Sequence, residues 1–350
     1  MSSGSPPAPS ATDSSFTWSR EIEDWARDLE RASVNLVLKQ QKIGDTNQAY
    51  LFQTALCLHE AAAATRTQGL VADPESIMSA LARARSPGGS GTWLGVSLYG
   101  LARLVSTSDP DQALSPDGVQ EAIERAAIHD SNPTIDLWRT ELVEPAATPG
   151  PDADPDGTKA HQAPSAATLV DCCLAARRLW LDVAHRDRAS ACAARLLLAA
   201  IFARRGGPRM VFLGTAAGPR EMADLLQASR RDSDWMRVFV PLLARSSAKS
   251  LAMVNQILAV RRRWMAKLSD CRPTRLRHRS SALDAVFLQP VLSTRNLVEL
   301  KSRLDGRETS LRHAQTLMTE LEAAGAVRSL RGATSQSRLW IAADASLLGI

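Results

Sequence analysis

Apolar residues recur three and four positions apart along most of the chain, which is the spacing of one face of an α-helix. In the first part of the chain this spacing predicts helices over Trp18–Asn35, Gln48–Thr65, Glu75–Arg85 and Pro116–His129. In the second part it predicts helices over Ala167–Ala184, Ala189–Arg204, Arg220–Arg230 and Trp235–Lys267. Aromatic residues make up only 5% of the sequence, which favours helices over sheets. The pattern therefore predicts a mainly α protein.

Two stretches lack this periodicity. Residues Glu144–Ser165 contain five prolines and three aspartates, so we expect a flexible linker between an N-terminal helical region (16–143) and a second helical core (166–268). Residues Met1–Ser15 are rich in Ser, Pro and Ala, with neither a basic start nor an apolar centre. We expect a disordered tail there rather than a signal peptide.

The last part of the chain, residues 281–342, has the pattern of a small module. A short apolar run, Ala282–Leu288, stops at Pro290. After it, Ser293 or Thr294 can cap a helix that carries three leucines on one face. The turn Asp305-Gly306 ends that helix, which makes two helical segments so far.

A third helix and two short strands complete this module. Thr309 or Ser310 can cap the helix, and Gly325 closes it. Its apolar series, which we expect to face the core, is Leu311, Ala314, Leu317, Met318 and Leu321. The strand candidates Val327–Leu330 and Arg338–Ile341 flank a loop with a turn glycine. Three helices followed by a two-stranded wing is the plan of a winged helix, so we predict a small winged-helix domain over 281–342.

The positive charge of the chain is concentrated near this module. The net charge is +5, yet residues 261–350 alone hold 16 Lys and Arg against 8 Asp and Glu. Within Arg261–Arg279, eight basic residues face only Asp270. A basic cluster beside a predicted winged helix is typical of contact with a phosphate backbone, although basic runs are more often simply solvated. The charge pattern therefore favours DNA as a partner.

The residues that would contact DNA follow from the predicted helix faces. If the apolar series of the third helix points inward, the period of 3.6 turns a polar set outward: Arg312, His313, Gln315, Thr316 and Thr319. These side chains include donors suited to base edges in the major groove. The wing adds Arg328, Arg331 and Arg338, and the preceding basic segment adds Arg275, Arg277 and Arg279. These residues are the predicted DNA-binding set.

Cysteine and histidine positions argue against metal sites and catalysis. The five cysteines form no CxxC pair, and the six histidines show no metal-ligand spacing. The segment Gly206-Gly207-Pro208-Arg209 is too short for a phosphate loop and lacks the Lys-Ser/Thr that follows one. No apolar run approaches the ~18–20 residues of a membrane span. We therefore expect a cytoplasmic protein with reduced thiols, no cofactor and no membrane contact.

Several blocks of sequence resemble the Fic family, specifically Fic proteins with a C-terminal winged helix. Glu60–Gly69 is similar to the family's helix E-A-x-A-S-S-R-I-E-G. The run Ala194–Leu197, followed by Gly206-Gly207-Pro208, is similar to the family's helix after its active-site loop. Two later blocks correspond to R-x-x-Y-Y-x-x-L, at Arg220, Leu225 and Leu226, and to W-x-x-F-F, at Trp235–Phe239. The resemblance runs in the family's own order from Leu51 to Ile341 and implies a helical Fic-like body before the winged helix.

The resemblance also implies that the active site is degenerate. Fic enzymes carry H-x-F-x-x-G-N-G-R-x-x-R, in which the histidine is the base, an acid holds a metal and the glycine-rich loop binds nucleotide phosphates. Aligned on Arg195 as its last arginine, the motif falls on Ala184–Arg195, with Ala184 at the histidine position and Arg188 at the acidic one. The G-N-G-R loop becomes Ala189–Cys192, and His185 is about 100° away round a helix from the position of the base. The family's inhibitory motif is altered too, at Ala64 and Gln68.

These observations predict a DNA-binding transcriptional regulator built on a catalytically inactive Fic-like scaffold. Two alternatives remain open. One is a divergent nucleotidyl transferase that uses His185, and the other is an interaction protein whose winged helix packs only against the body or a second copy of the chain. In Fic proteins that resemble this one, the module need not bind DNA.

Overall fold

The computed structural model describes residues 20–42, 46–83, 89–127, 166–204, 213, 217–269, 273–330 and 338–344 of the 350-residue chain. The predicted tail Met1–Ser15 and the predicted linker Glu144–Ser165 lie outside these ranges. The loop of the predicted wing, which includes Arg331, lies outside them as well.

The described chain is mainly α-helical, as predicted. The first six helices are α1 (Arg20–Lys42), α2 (Thr46–Thr67), α3 (Pro74–Arg83), α4 (Ser90–Thr107), α5 (Pro110–Ala113) and α6 (Pro116–Ala126). The next four are α7 (Ala166–Leu179), which continues as a π-helical turn over Trp180–Ala184, then α8 (Arg188–Arg204), α9 (Pro219–Ala228) and α10 (Asp232–Leu268). The eight helices predicted from the pattern are all present, with ends that differ by at most three residues except in α1, which continues to Lys42 rather than Asn35.

The C-terminal elements follow the predicted order of three helices and two strands, with one strand added. They are α11 (Pro273–Leu288), β1 (Val291–Ser293), α12 (Thr294–Asp305), α13 (Leu311–Ala323), β2 (Val327–Ser329) and β3 (Leu339–Ala342). The strands form a three-stranded antiparallel sheet in the order β1-β3-β2. Val291 pairs with Ile341, and Ser329 pairs with Trp340, so β3 lies in the middle. We call residues 273–344 the C-terminal module.

Helix α4 has no counterpart in the predicted set, and its glycines explain why. Gly91 and Gly95 are poor helix formers, yet both are buried where another element comes very close. A Cβ atom on Gly91 would lie 2.3 Å from the backbone oxygen of Val71, and one on Gly95 would lie 2.7 Å from the Cδ1 atom of Ile77. These glycines therefore permit close packing of α4 against α3 and the segment before it.

The long helix α10 joins two hydrophobic cores. Its first part, from Trp235 to Ala244, packs in a core with α1, α7 and α9. Its second part, from Val254 to Leu268, packs in a core with α2, α3 and α4. Helix α8 contributes residues to both cores.

The core of the C-terminal module is continuous with the second of these cores. Buried residues of α11, α12, α13 and the sheet belong to the same cluster as those of α2 and α10. Polar contacts cross the same boundary, because Thr54 Oγ1 donates to the Leu288 carbonyl at 3.2 Å and Arg261 Nε donates to Asp284 Oδ1 at 2.9 Å. The module is thus packed firmly against the body.

Among the described helices, none combines the length and the apolar character that crossing a membrane requires.

Candidate nucleic-acid interface

Helix α13 is held in the module by one apolar side and a capped N-terminus. Ala314, Leu317, Met318 and Leu321 are buried, as the periodicity predicted. The Ser310 hydroxyl accepts a hydrogen bond from the backbone N–H of His313 at 3.2 Å, which confirms Ser310 as the N-cap. The opposite side of the helix therefore faces solvent in a fixed orientation.

That solvent side carries four of the polar residues predicted to contact DNA. Arg312, Gln315, Thr316 and Thr319 are exposed, and together they form what we call the polar face of α13. The hydroxyls of Thr316 and Thr319 donate to the carbonyls of Arg312 and Gln315, each at 3.1 Å. Their oxygens can still accept hydrogen bonds, while the side chains of Arg312 and Gln315 supply the donors of this face.

His313 is placed differently from those four residues. It is half-buried, and its ring packs edge-on against the ring of His278 in α11, with 5.4 Å between the ring centroids. Burial and the nearby positive charge of Lys301 lower the pKa of His313 below its usual value. His313 therefore lies on the flank of α13 that faces α11, rather than on the polar face.

The prediction that Leu311 faces the core is wrong. Leu311 is 56% exposed, although it begins the same apolar series as Ala314 and Met318. It is the first residue of α13, about one turn before Ala314, the first buried residue of the helix. The helical period gives the direction of a side chain but not the point at which the core ends, which is why the pattern failed here.

The arginines of α11 have different environments. Arg275 and Arg279, one helical turn apart, both bind the carboxylate of Glu320 on α13, with Arg279 Nε 2.7 Å from Glu320 Oε2. Arg279 also donates to the Leu268 carbonyl at 3.0 Å, so it holds α11 against α10 and α13. Arg277 is exposed, and its guanidinium has no ion pair within the described ranges. The structure therefore brings Arg275 and Arg279 to the edge of α13, but as partners of a carboxylate.

The arginines of the sheet also differ. Arg328 is exposed in the middle of β2, between the more buried Val327 and Ser329. Arg338 precedes β3, where its guanidinium lies 3.6 Å from Glu322 Oε1 and 5.4 Å from the ring centroid of Trp340. Arg331 falls in the part of the chain that the structure does not describe.

A polar cluster around the buried side chain of Lys301 links the three helices of the module. Lys301 of α12 is only 2% exposed at its side chain, and its ammonium binds Asp305 of the same helix and donates to His278 Nδ1 of α11 at 3.2 Å. Ser281 of α11 donates to the other carboxylate oxygen of Asp305. Since the His278 ring also touches His313, the cluster reaches from α12 through α11 to α13.

These pairings change what the charge count of the last seventy residues means. Residues 281–350 hold 8 basic and 7 acidic residues, which is close to neutral. Six of those acids have a basic partner: Asp284, Glu299, Asp305, Glu320, Glu322 and Asp344. Glu308, Arg312 and Arg328 are exposed, and none of these three side chains has an ion pair among the described residues. The exposed charge near α13 is therefore more positive than the count indicates.

The positions aligned with the glycine-rich loop of the Fic motif, Ala189–Cys192, lie within a helix. Ala184 is buried at the end of the π-helical turn, and Ser190–Cys192 are buried inside α8. The N-terminus of α8 is capped by the chain's own carboxylate, because Asp187 Oδ1 accepts from the Ser190 N–H at 2.7 Å. That backbone hydrogen bond lowers the pKa of Asp187 below its usual value.

His185, the base in the transferase alternative, bonds to a residue that substrate cannot reach. Its Nε2 lies 2.8 Å from the hydroxyl of Ser229, which is fully buried and donates to the Leu226 carbonyl. No group of three or more His, Cys, Asp or Glu residues suited to a metal ion is present among the described residues. His185 itself is exposed, but this arrangement gives its Nε2 atom a structural partner within the chain.

The sequence pattern missed three exposed arginines of the module. Arg295, Arg303 and Arg307 are exposed. Of these three, Arg295 alone has an ion pair among the described residues, with 3.9 Å to Glu299 Oε1. The polar side of α12 could have indicated the first two, since they alternate with its buried leucines.

Comparison of the sequence with family models gave no match, and comparison with curated proteins gave none either.

Proposed function

We propose that this protein is a DNA-binding transcriptional regulator and that its C-terminal module is a winged helix whose α13 enters the major groove. The observation that carries the proposal is the polar face of α13. Arg312, Gln315, Thr316 and Thr319 are exposed together on one side of a helix whose other side is buried. Arginine and glutamine are the side chains best suited to guanine and adenine edges.

The architecture around α13 supports the same function. Two helices precede α13, a turn at Gly306 separates it from α12, and two antiparallel strands follow it. In helix-turn-helix proteins the second helix of the pair contacts the bases with residues near its N-terminus. Arg312 is the second residue of α13, and Arg328 is exposed on the adjacent strand, where it would contact a phosphate.

We further propose that the body is a Fic-like scaffold without transferase activity. Its support is the buried Ala184, the helical Ser190–Cys192 and the carboxylate of Asp187 at the helix N-terminus where a phosphate would bind. A body that performs no chemistry would serve to hold the module and to bind a partner or a second copy of the chain.

The test is DNA binding by the full chain, measured by fluorescence anisotropy with mixed genomic fragments at about 50 mM and 200 mM salt. Truncation before residue 281 is a poor test, because the module shares its hydrophobic core with the body and its loss would expose that core. Point variants avoid this difficulty. Arg312→Ala and Gln315→Ala should weaken binding to a selected site, whereas Arg245→Ala and Gln227→Ala, at exposed positions of α10 and α9, should not.

The expected losses are ~1–3 kcal/mol for a side chain that contacts a base. Loss of binding to all sequences alike, with a salt slope lower by about one unit, would identify a phosphate contact instead. If the full chain binds no DNA at low salt, the proposal is wrong and the module has a packing role.

A further inference from the structure

Leu311 places an exposed apolar side chain at the N-terminal end of α13, beside the polar face of the helix. At 56% exposure it is among the few large hydrophobic side chains that the described chain leaves in solvent, the others being Val71 and Leu181. Scattered exposed leucines are common in proteins, and exposure alone assigns no role. The position of this one, at the start of α13 and directly before Arg312, is what distinguishes it.

The helix geometry places Leu311 beside donors that suit a particular base pair. Leu311, Gln315 and Thr319 are four residues apart and form one ridge along the solvent side of α13, with about 5–6 Å between neighbouring Cβ atoms. The glutamine amide can bind N6 and N7 of adenine, and an apolar side chain contacts the 5-methyl group of thymine. Both groups of an A·T pair lie in the major groove, so Leu311 and Gln315 together match its chemistry.

The surroundings of Leu311 favour DNA over a protein as the occupant. The exposed residues next to Leu311 in the chain and on its ridge are Ser310, Arg312 and Gln315, all of them charged or polar. The centre of a protein–protein interface is usually apolar and aromatic, with few charges. A single apolar side chain among hydrogen-bonding groups fits instead the surface of a base-pair edge, where one methyl group lies among donors and acceptors.

We propose that Leu311 contacts the 5-methyl group of a thymine, so that α13 prefers an A·T pair next to the base that Arg312 reads. This inference rests on the proposed function and adds the class of site that the helix recognises. It makes Leu311 a specificity-determining residue, with Gln315 as the side chain that binds the adenine of the same or the adjacent pair.

The test removes the 5-methyl group of thymine and leaves the rest of the base unchanged. Binding sites are first selected from a randomised duplex by the full chain, and each thymine of the best site is then replaced in turn by deoxyuridine, which lacks only the 5-methyl group. Replacement at one position should weaken binding by about fourfold, the factor that corresponds to ~0.8 kcal/mol for one buried methyl group. Leu311→Ala should bind the thymine and deoxyuridine sites equally well.

The matched control is Leu181→Ala, which removes a leucine that is 37% exposed outside the module and should keep the difference between thymine and deoxyuridine. An effect of the methyl group on DNA shape alone would persist in Leu311→Ala and would overturn the inference. So would binding of DNA by the full chain with no position sensitive to deoxyuridine. Absence of any DNA binding would instead overturn the proposed function itself.

One further outcome would assign Leu311 to a protein contact. If Leu311→Ala keeps the affinity and the base preference of the unaltered chain but abolishes its self-association in sedimentation velocity, the leucine belongs to an interface between copies of the chain. The inference would then be wrong although the protein binds DNA.

Discussion

Arg195 and Glu60 form an ion pair that solvent does not reach. The Nε atom of Arg195 lies 2.5 Å from Oε1 of Glu60, and both side chains are 0% exposed. The other guanidinium nitrogens donate to Thr67 Oγ1 at 3.3 Å and to the Ala217 carbonyl at 3.2 Å. Arg195 thus joins α8 to α2 and to the segment before α9. In the Fic resemblance it is the last arginine of the catalytic motif, but here its donors are used within the protein.

Replacing Arg195 alone should therefore destabilise the protein strongly. We expect Arg195→Met to lower the free energy of unfolding by ~3–5 kcal/mol, because Glu60 would keep a buried charge without its partner. The double variant Arg195→Met with Glu60→Leu should recover most of that loss, since no charge is then left in the core. Urea denaturation followed by circular dichroism measures both values. A loss below ~1 kcal/mol for the single variant would mean that the pair contributes no more than a surface ion pair does.

Glu320 should limit the affinity of the module for DNA. Its carboxylate binds Arg275, which is 60% exposed, and Arg279. Glu320→Gln keeps the size of the side chain and removes the charge, so both guanidiniums would face an approaching phosphate with less competition. We expect tighter binding and a salt slope that is steeper by up to about one unit. Glu121→Gln, which removes the carboxylate paired with Arg125 on α6, is the matched control and should leave binding unchanged.

The stability of the module should depend on pH through His313. Burial and the charges of Lys301 and His278 lower its pKa below 6.5, and these effects outweigh the opposing ones of Glu320 and Asp305. The folded state therefore favours the neutral imidazole. The resulting stabilisation is present above the unfolded pKa and is lost as the pH falls through the folded pKa.

Denaturation of the unaltered chain and of His313→Gln at about pH 7.5 and pH 5.5 tests this dependence. The free energy of unfolding should fall more between these values in the unaltered chain than in the variant. Burial by itself would raise the pKa of Glu320 and of Asp305, but their basic partners lower both below the usual value. The stabilisation that these two carboxylates give the folded state is consequently lost only at pH values below the pKa of a carboxyl group in the unfolded chain, which is about 4. An equal pH dependence of the two proteins would contradict the role of His313.

The sequence predicted the helices well because their apolar faces are long and regular, and it failed where packing depends on distant contacts. Strand β1 is only three residues long and exists because Val291 and Leu292 pair with Ile341 and Trp340 about fifty positions later. Helix α4 was missed because its glycines are explained only by the elements that pack on them, as at Gly91 against Val71. No local pattern contains either relationship.

The candidate interface was predictable in part for similar reasons. The exposure of Arg312, Gln315, Thr316 and Thr319 follows from the helical period. The pairing of Arg275 and Arg279 with Glu320 does not, since it requires the distance between α11 and α13. Leu311 shows the same limit, because the period cannot say where the core stops covering the helix.

The turn between α12 and α13 should depend on the backbone of Gly306. This residue has a φ of 64°, in the left-handed region, and a Cβ atom there would meet no atom within 4 Å. Gly306→Ala should cost ~1–2 kcal/mol from backbone strain alone. Gly306→Asn should cost less, because asparagine tolerates this conformation. Thermal unfolding of the two variants measures the order, and an alanine variant as stable as the asparagine variant would contradict this account.

The body should neither bind nor transfer nucleotides. In the Fic resemblance Ala184 takes the position of the general base, and loss of a positioned base typically removes a factor of ~10²–10⁴ in rate. The N-terminus of α8, where a phosphate would bind, carries the carboxylate of Asp187 instead, and a second negative charge would be repelled there. The full chain with labelled ATP, Mg²⁺ and candidate target proteins should therefore give no covalent label. ATP should also leave the melting temperature unchanged, because only a ligand that binds the folded state raises it. Label that is lost in His185→Ala but kept in His59→Ala would revive the transferase alternative, since His185 would then act in spite of its bond to Ser229.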